Sequence, residues 1–207
     1  MSSIIVAGDT SGSVTLQAPA VAGSTVLTLP AVSGTVITNT AGVVTQAMLA
    51  TNVAGNGPAF SAYPSALTTI SSSTNTVIVL DTEVFDTNGC FNNTGSTVTL
   101  NGVSTPAYSF APNVAGYYLF AATINDESST AASRFFFTIN RNGGDAASVR
   151  VSDVALSTVT GVSGSCIIYL NGTTDYVSLS VYIVATTAKY TAGPNVTRFS
   201  ASMVRSA

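Results

Sequence analysis

Runs rich in Val, Ile, Thr, Tyr and Phe alternate along this chain with clusters of Gly, Asn, Pro and Ser. That texture predicts strands separated by turns. The clearest strands are Thr76–Leu80, Ser96–Leu100, Tyr117–Ile124, Phe135–Asn140, Cys166–Leu170, Tyr176–Val184 and Arg198–Val204. Side chains two apart on a strand share a face, so Tyr118 goes with Phe120 and Phe135 with Phe137. Only Val43–Thr51 reads as a helix, and it is short. The spacing of turn signals suits an all-β sandwich.

The first 40 residues have a different pattern. They hold one charged residue, Asp9, and no aromatic residue. Leu16-Gln-Ala-Pro19-Ala-Val21-Ala-Gly23-Ser recurs eleven residues later as Leu27-Thr-Leu29-Pro30-Ala-Val32-Ser-Gly34-Thr. Each copy is an extended Leu-containing segment followed by a Pro–Gly turn, where proline fixes φ and glycine allows φ > 0. Two copies are too few for a free-standing solenoid. Residues 1–40 are therefore expected to be an extended, β-rich arm that needs a partner surface. Its anchoring side chains would be Leu16, Pro19, Val21, Leu27, Leu29, Pro30 and Val32. Residues 41–57 read as a linker with the short helix. Residues 58–207 hold every Phe and Tyr and both cysteines, and read as the globular knob.

Composition then narrows the function. Apolar residues make up 46 % of the 207 positions and charged residues only 7 %, against about 25 % in an average protein. Disorder would need the opposite balance. Nucleic-acid binding would need a basic face, and the net charge is −3. There is no histidine, which removes the commonest general base and metal ligand. Cys90 and Cys166 sit beside apolar residues and outside any CxxC, so they read as buried thiols. No apolar run approaches the roughly 20 residues of a membrane span, and the N-terminus lacks the basic and apolar regions of a secretory signal. The expectation is synthesis in a cytoplasm, with no membrane partner.

The knob carries an ordered series of motifs: Pro58-Ala-Phe60-Ser-Ala-Tyr63; Leu80-Asp81-Thr82-Glu83-Val-Phe85-Asp86 running to Gly89-Cys-Phe91; Phe110-Ala-Pro112-Asn-Val-Ala-Gly116-Tyr117-Tyr118-Leu-Phe120; Phe137 to Asn142-Gly143; Ser163-Gly164 running through Leu170-Asn171-Gly172-Thr-Thr-Asp175 to Leu179; and Arg198-Phe199-Ser200-Ala-Ser. This order resembles the globular-head family of the first complement component, which shares a jelly roll with tumour necrosis factor. The resemblance covers nearly all of residues 58–207. It departs from the family pattern at Gly172-Thr-Thr-Asp175, where Gly-Asp is usual, and at Ala201, where glycine is usual. It implies a jelly-roll sandwich and a homotrimer. Phe60, Tyr63, Phe85, Phe91, Phe110, Gly116, Tyr118, Phe120, Phe137, Tyr182 and Phe199 would then form the core and the trimer contact. Gly116 would permit a tight turn. The arm resembles segments that precede adhesion modules in tailed-phage fibre and decoration proteins.

Catalysis has few candidates. There is no Gly-x-Ser-x-Gly elbow, and the only lysine is Lys189. Asp81 and Glu83 would share a strand face that Asp86 does not, and a solvated edge or cation site suits them better than glycoside hydrolysis. Asp126-Glu127 reads as a solvated loop tip. Single aspartates such as Asp153 and Asp175 do not make a calcium site. The expectation is a non-enzymatic virion surface protein without metal or cofactor. It would be a homotrimeric capsid decoration or cement protein, anchored by its arm to the major capsid protein or another virion protein. The alternative is the receptor-binding tip of a tail fibre or tailspike, touching a host surface glycan or protein through loops Asn92–Ser96, Asp126–Ser133, Asn140–Asp145 and Thr186–Pro194.

Overall fold

The fold is that of a computed structural model, which describes residues 3–7, 10–11, 13–17, 48–53, 55–128, 131–154 and 161–207. The chain divides into two compact units, Met1–Val43 and Val44–Ala207. In the smaller unit β1 (Ser3–Ala7) and β2 (Ser13–Gln17) pair antiparallel, Ser3 opposite Gln17. Leu16 lies on β2. Pro19, Val21, Leu27, Leu29, Pro30 and Val32 lie outside the described residues, as does most of the expected helix over 43–51.

The larger unit contains β3 (Ala59–Tyr63), β4 (Thr68–Ile70), β5 (Thr76–Val77), β6 (Thr82–Asp86), β7 (Val98–Leu100), β8 (Val103–Thr105), β9 (Ser109–Phe110) and β10 (Gly116–Asn125). It continues with β11 (Arg134–Arg141), β12 (Gly144–Val154), β13 (Gly161–Leu170), β14 (Val177–Val184), β15 (Ala188–Tyr190) and β16 (Arg198–Ser206). One sheet runs β13-β10-β16-β3-β6. The other runs β12-β11-β14-β5, with β9 also on β14. All the pairings are antiparallel. From β10 the chain crosses to β11 and β12, returns as β13, crosses again as β14 and returns as β16. Those crossings make the domain a jelly roll, the double Greek key.

Alternation along β10 builds one wall of the core, whereas β11 and β14 are buried on both faces. On β10, Tyr118, Phe120, Ala122 and Ile124 point inward and are buried. Phe60, Ile168, Leu170, Phe199 and Ala201 join them from the same sheet. Phe135, Phe137, Ile139, Leu179, Val181 and Ile183 face them from the other. Phe60 is the hub. It stacks on Phe91 at 4.5 Å and Phe110 at 4.7 Å, and meets Phe199 edge-on at 5.3 Å. Such pairs add to simple burial. The β7–β8 and β11–β12 connections turn on Asn101-Gly102 (φ 49° and 82°) and Asn142-Gly143 (φ 56° and 68°). Two successive left-handed residues are what a tight hairpin requires, and Asn-Gly supplies them at least cost.

The Gly116 expectation needs correcting. Gly116 is not among the glycines with left-handed φ. It opens β10 beside a register shift in the β10–β16 ladder. A Cβ there would lie 2.5 Å from the Arg205 carbonyl oxygen. Close approach of two backbones, not a turn, excludes a side chain.

Candidate interaction surface

The outward face of the β13-β10-β16-β3-β6 sheet is the surface the core does not explain. Register places Tyr117 opposite Tyr169 and Leu119 opposite Ile167, all outward. Tyr117 is 44 % exposed, Leu119 38 %, Ile167 61 %, Tyr169 39 % and Val204 on β16 40 %. The two tyrosine rings lean together at 5.4 Å. With Arg205, Ser206 and Ala207 these residues, except Leu119, line an open cradle. Further along, the same face becomes a row of small residues, Ser165, Ala121, Ser200 and Ser61, which ends at Phe85.

The outward positions of β3, β10, β13 and β16 hold two cations, Arg198 and Arg205, and no carboxylate. Arg198 Nε donates to Ser61 Oγ at 2.6 Å.

Among the expected core residues, Phe60, Phe110, Tyr118, Phe120, Phe137 and Phe199 are fully buried, and Phe91 nearly so. Phe85 is not a core residue. It lies opposite outward-facing Ser61 and is 44 % exposed. Tyr63 is half-buried. Tyr182 faces outward on the other sheet, stacked on Phe136 at 4.8 Å, with the Arg134 guanidinium over both rings.

The carboxylates set aside as catalysts are occupied or dispersed. Asp81 precedes β6 and so lies off its face alternation. Burial alone would raise its carboxyl, but hydrogen bonds from Ser65 and Thr82 outweigh that and hold it below its ordinary value. Burial, then repulsion from Asp86, raises the Glu83 carboxyl. Asp86 accepts from the backbone N–H of Phe91 and Asn88. Asp175 accepts from Asn171 N and Asn142 Nδ2, which closes the Asn171–Asp175 loop. Asp126 is buried, not a solvated tip. It bridges to Tyr190 and accepts from the backbone and hydroxyl of Ser128. Among the described residues no group of three or more metal-ligating side chains is placed to hold an ion.

Two expected contact loops also carry structure. Asn92 is buried, and its Nδ2 lies within hydrogen-bond reach of the carbonyls of Ser96, Thr105 and Pro106. In the 186–194 segment Tyr190 is fully buried, and its hydroxyl accepts from Val79 N. Cys90 is buried and Cys166 partly so, both free. Burial pushes the Cys90 thiol up and the Cys166 thiol to about 11. Neither is a ready nucleophile at neutral pH. No described helix is long and apolar enough to cross a membrane.

Tyr117, Leu119, Ile167, Tyr169 and Val204 were not singled out from the sequence, although a signal was there. Tyr117-Tyr118-Leu119-Phe120 and Cys166-Ile167-Ile168-Tyr169-Leu170 are unbroken apolar runs, the mark of strands with both faces apolar.

No protein-family model matches the chain, and no curated protein does. The globular domain of zebrafish complement 1qA protein is similar over 72 % of this chain and 99 % of its own, with 19 % identity and a TM-score of 0.49. Murine APRIL is similar over 71 % and 98 %, with 12 % identity and a TM-score of 0.49. The PRD1 vertex protein is similar over 72 % and 97 %, with 14 % identity and a TM-score of 0.43. The jelly-roll assignment rests on the strand order given above.

Proposed function

We propose that the protein is a virion surface component of a tailed phage: a homotrimeric decoration or cement protein. The jelly-roll knobs associate through the apolar sheet face and project outward. Residues 1–40 anchor the trimer to the major capsid protein or another virion protein. The observation that carries this reading is the cluster of Tyr117, Leu119, Ile167, Tyr169 and Val204, all more than a third exposed on one face. Contiguous exposed apolar patches on soluble proteins mark interaction sites, and one identical patch per chain suits closed cyclic symmetry. The division of the chain at Val43/Val44 supports a separate anchoring unit.

The test compares the full chain with a deletion of residues 1–40. Both should sediment as trimers, and only the full chain should bind particles stripped of the protein. Binding by the deletion variant would overturn the arm's role, and a monomeric full chain would overturn the trimer. Finding the protein in a few copies at the tail would favour the receptor-binding reading.

A further inference from the structure

We propose that Asn88 is a self-modification site. Its side-chain amide converts to an acid, through a ring closed with Gly89, faster than the amide of any other Asn-Gly pair in the folded chain. The site stands apart from the apolar sheet face and does not rest on the trimer reading.

The chain has five Asn-Gly pairs, at Asn56, Asn88, Asn101, Asn142 and Asn171. Each pair carries both reactants. The backbone nitrogen of the glycine attacks the side-chain carbonyl carbon, Cγ, and gives its proton to water. The bond from Cγ to the side-chain nitrogen breaks, and ammonia leaves. Water then opens the cyclic imide at either carbonyl. One opening gives aspartate, and the other gives isoaspartate, in which the main chain runs through the side chain. No oxidant or cofactor is consumed. Glycine favours the attack because it has no Cβ to shield its nitrogen. The amide must also turn a face of Cγ toward that nitrogen, so hydrogen bonds that fix the amide oppose the reaction.

Four of the five amides are fixed. Asn171 Oδ1 accepts from the backbone N–H of Thr173, Thr174 and Asp175, and its Nδ2 donates to Thr174 Oγ1. Asn142 Oδ1 accepts from Tyr176 N, and its Nδ2 donates to Asp175 Oδ1 at 2.7 Å. Asn101 Nδ2 is held between the carbonyls of Asn88 and Gly89, each at 2.9 Å. Asn56 Nδ2 donates to the Leu49 carbonyl at 2.6 Å, and the Met203 side chain lies where a Cβ of Gly57 would be, covering that backbone.

Asn88 is held differently. Among the described residues its side chain has one hydrogen bond, accepted at Oδ1 from the Thr87 hydroxyl at 2.7 Å. Ala59 N donates to that same hydroxyl at 3.0 Å, which strengthens it as a donor. A donor on Oδ1 draws electrons from Cγ and stabilises the negative charge that gathers on the oxygen during attack. Nothing ties Nδ2, so the amide can turn and its nitrogen can leave. Gly89 is exposed, so water reaches the ring.

The product changes its surroundings. The Asn88 and Gly89 carbonyls hold Asn101 at the tip of the β7–β8 hairpin. Isoaspartate lengthens the main chain by one atom and turns the Asn88 carbonyl into a carboxylate, so that hold is lost. Either product adds a negative charge to a net of −3, beside Asp86, whose Oδ1 lies 3.3 Å from Asn88 N. An aged molecule thus carries a charge and a hairpin contact different from those of a new one.

The test incubates the full chain in mildly alkaline buffer, folded and in concentrated urea, and follows each Asn-Gly pair by peptide mass mapping with electron-based fragmentation, which separates aspartate from isoaspartate. In the folded chain Asn88 should convert first, roughly tenfold or more ahead of Asn101, Asn142 and Asn171, because those must first break hydrogen bonds. In urea all five should convert at similar rates. Thr87→Val should slow Asn88 severalfold in the folded chain alone, and Thr87→Ser should keep the native rate. Another Asn-Gly pair leading in the folded chain would overturn the proposal. So would an Asn88 that stays intact there while the urea sample converts. A Thr87→Val variant as fast as wild type would overturn the role of the hydroxyl.

Discussion

Gly116→Ala puts a single methyl group where two strands already touch. The added Cβ would lie 2.5 Å from Arg205 O, and 3.3 Å from both Met203 Sδ and Ser206 Cα. The Met203 thioether can swing away, but the Arg205 carbonyl belongs to a strand paired with β10 and cannot. Inserting a methyl into a packed site typically costs 1–3 kcal/mol. Stiffening the unfolded chain by Gly→Ala returns about 0.4–1 kcal/mol. The fit is tight and the obstacle is backbone, so a net loss of about 2 kcal/mol is expected, or a drop of roughly 4–8 °C in Tm for a domain of this size. Thermal unfolding by circular dichroism measures it, at fixed protomer concentration because association shifts Tm. Gly144→Ala is the control. A Cβ there meets nothing within 4 Å, and Tm should hold or rise slightly. Gly116→Asn separates the two physical accounts. Asparagine tolerates left-handed backbone but carries the same Cβ, so it should fare no better than alanine. A stable Gly116→Ala, or an asparagine variant clearly better than alanine, would refute the close-approach reasoning.

Other outcomes follow from the same packing. Phe60→Ala removes the ring that three others contact and should cost about 3–5 kcal/mol in chemical denaturation, whereas a loss below 1 kcal/mol would mean the hub is misplaced. Asn92→Ala leaves the carbonyls of Ser96, Thr105 and Pro106 without their amide donor, and should cost about 2–3 kcal/mol. Glu83→Gln should show a pH-dependent gain. The folded state holds the Glu83 proton more tightly than the unfolded chain, so ionised Glu83 costs stability above its raised value. The variant should be more stable than wild type at neutral pH, with the difference closing as pH falls below the ordinary 4.5. A difference that stays constant from pH 7 to pH 4 would contradict the assignment.

The inner half of the sandwich was readable because a strand repeats every two residues. Tyr118 with Phe120 and Phe135 with Phe137 each share the inward face as their spacing required. Several things depend instead on which strand lies beside which. β12 (Gly144–Val154) was not among the expected strands, since its sequence mixes Asp, Ala, Ser and Arg with valine. Pairing with β11, not local propensity, makes it a strand. Phe85 looked like core because aromatic residues usually are, but its position opposite Ser61 turns it outward. Asp126 looked solvated because it stands beside Glu127 in a Ser/Thr segment. It is buried, and its backbone bridges to Tyr190, far away in sequence. The exposed apolar face lay in two apolar runs whose second faces needed a register before they could be recognised as one surface.

The most direct test of the central claim is the position and copy number of the protein on an intact particle, read from an icosahedral reconstruction and quantitative protein staining. The account predicts hundreds of copies, arranged as trimers at threefold or local threefold positions of the shell, with the jelly-roll knob outermost. A handful of copies confined to the tail would contradict it.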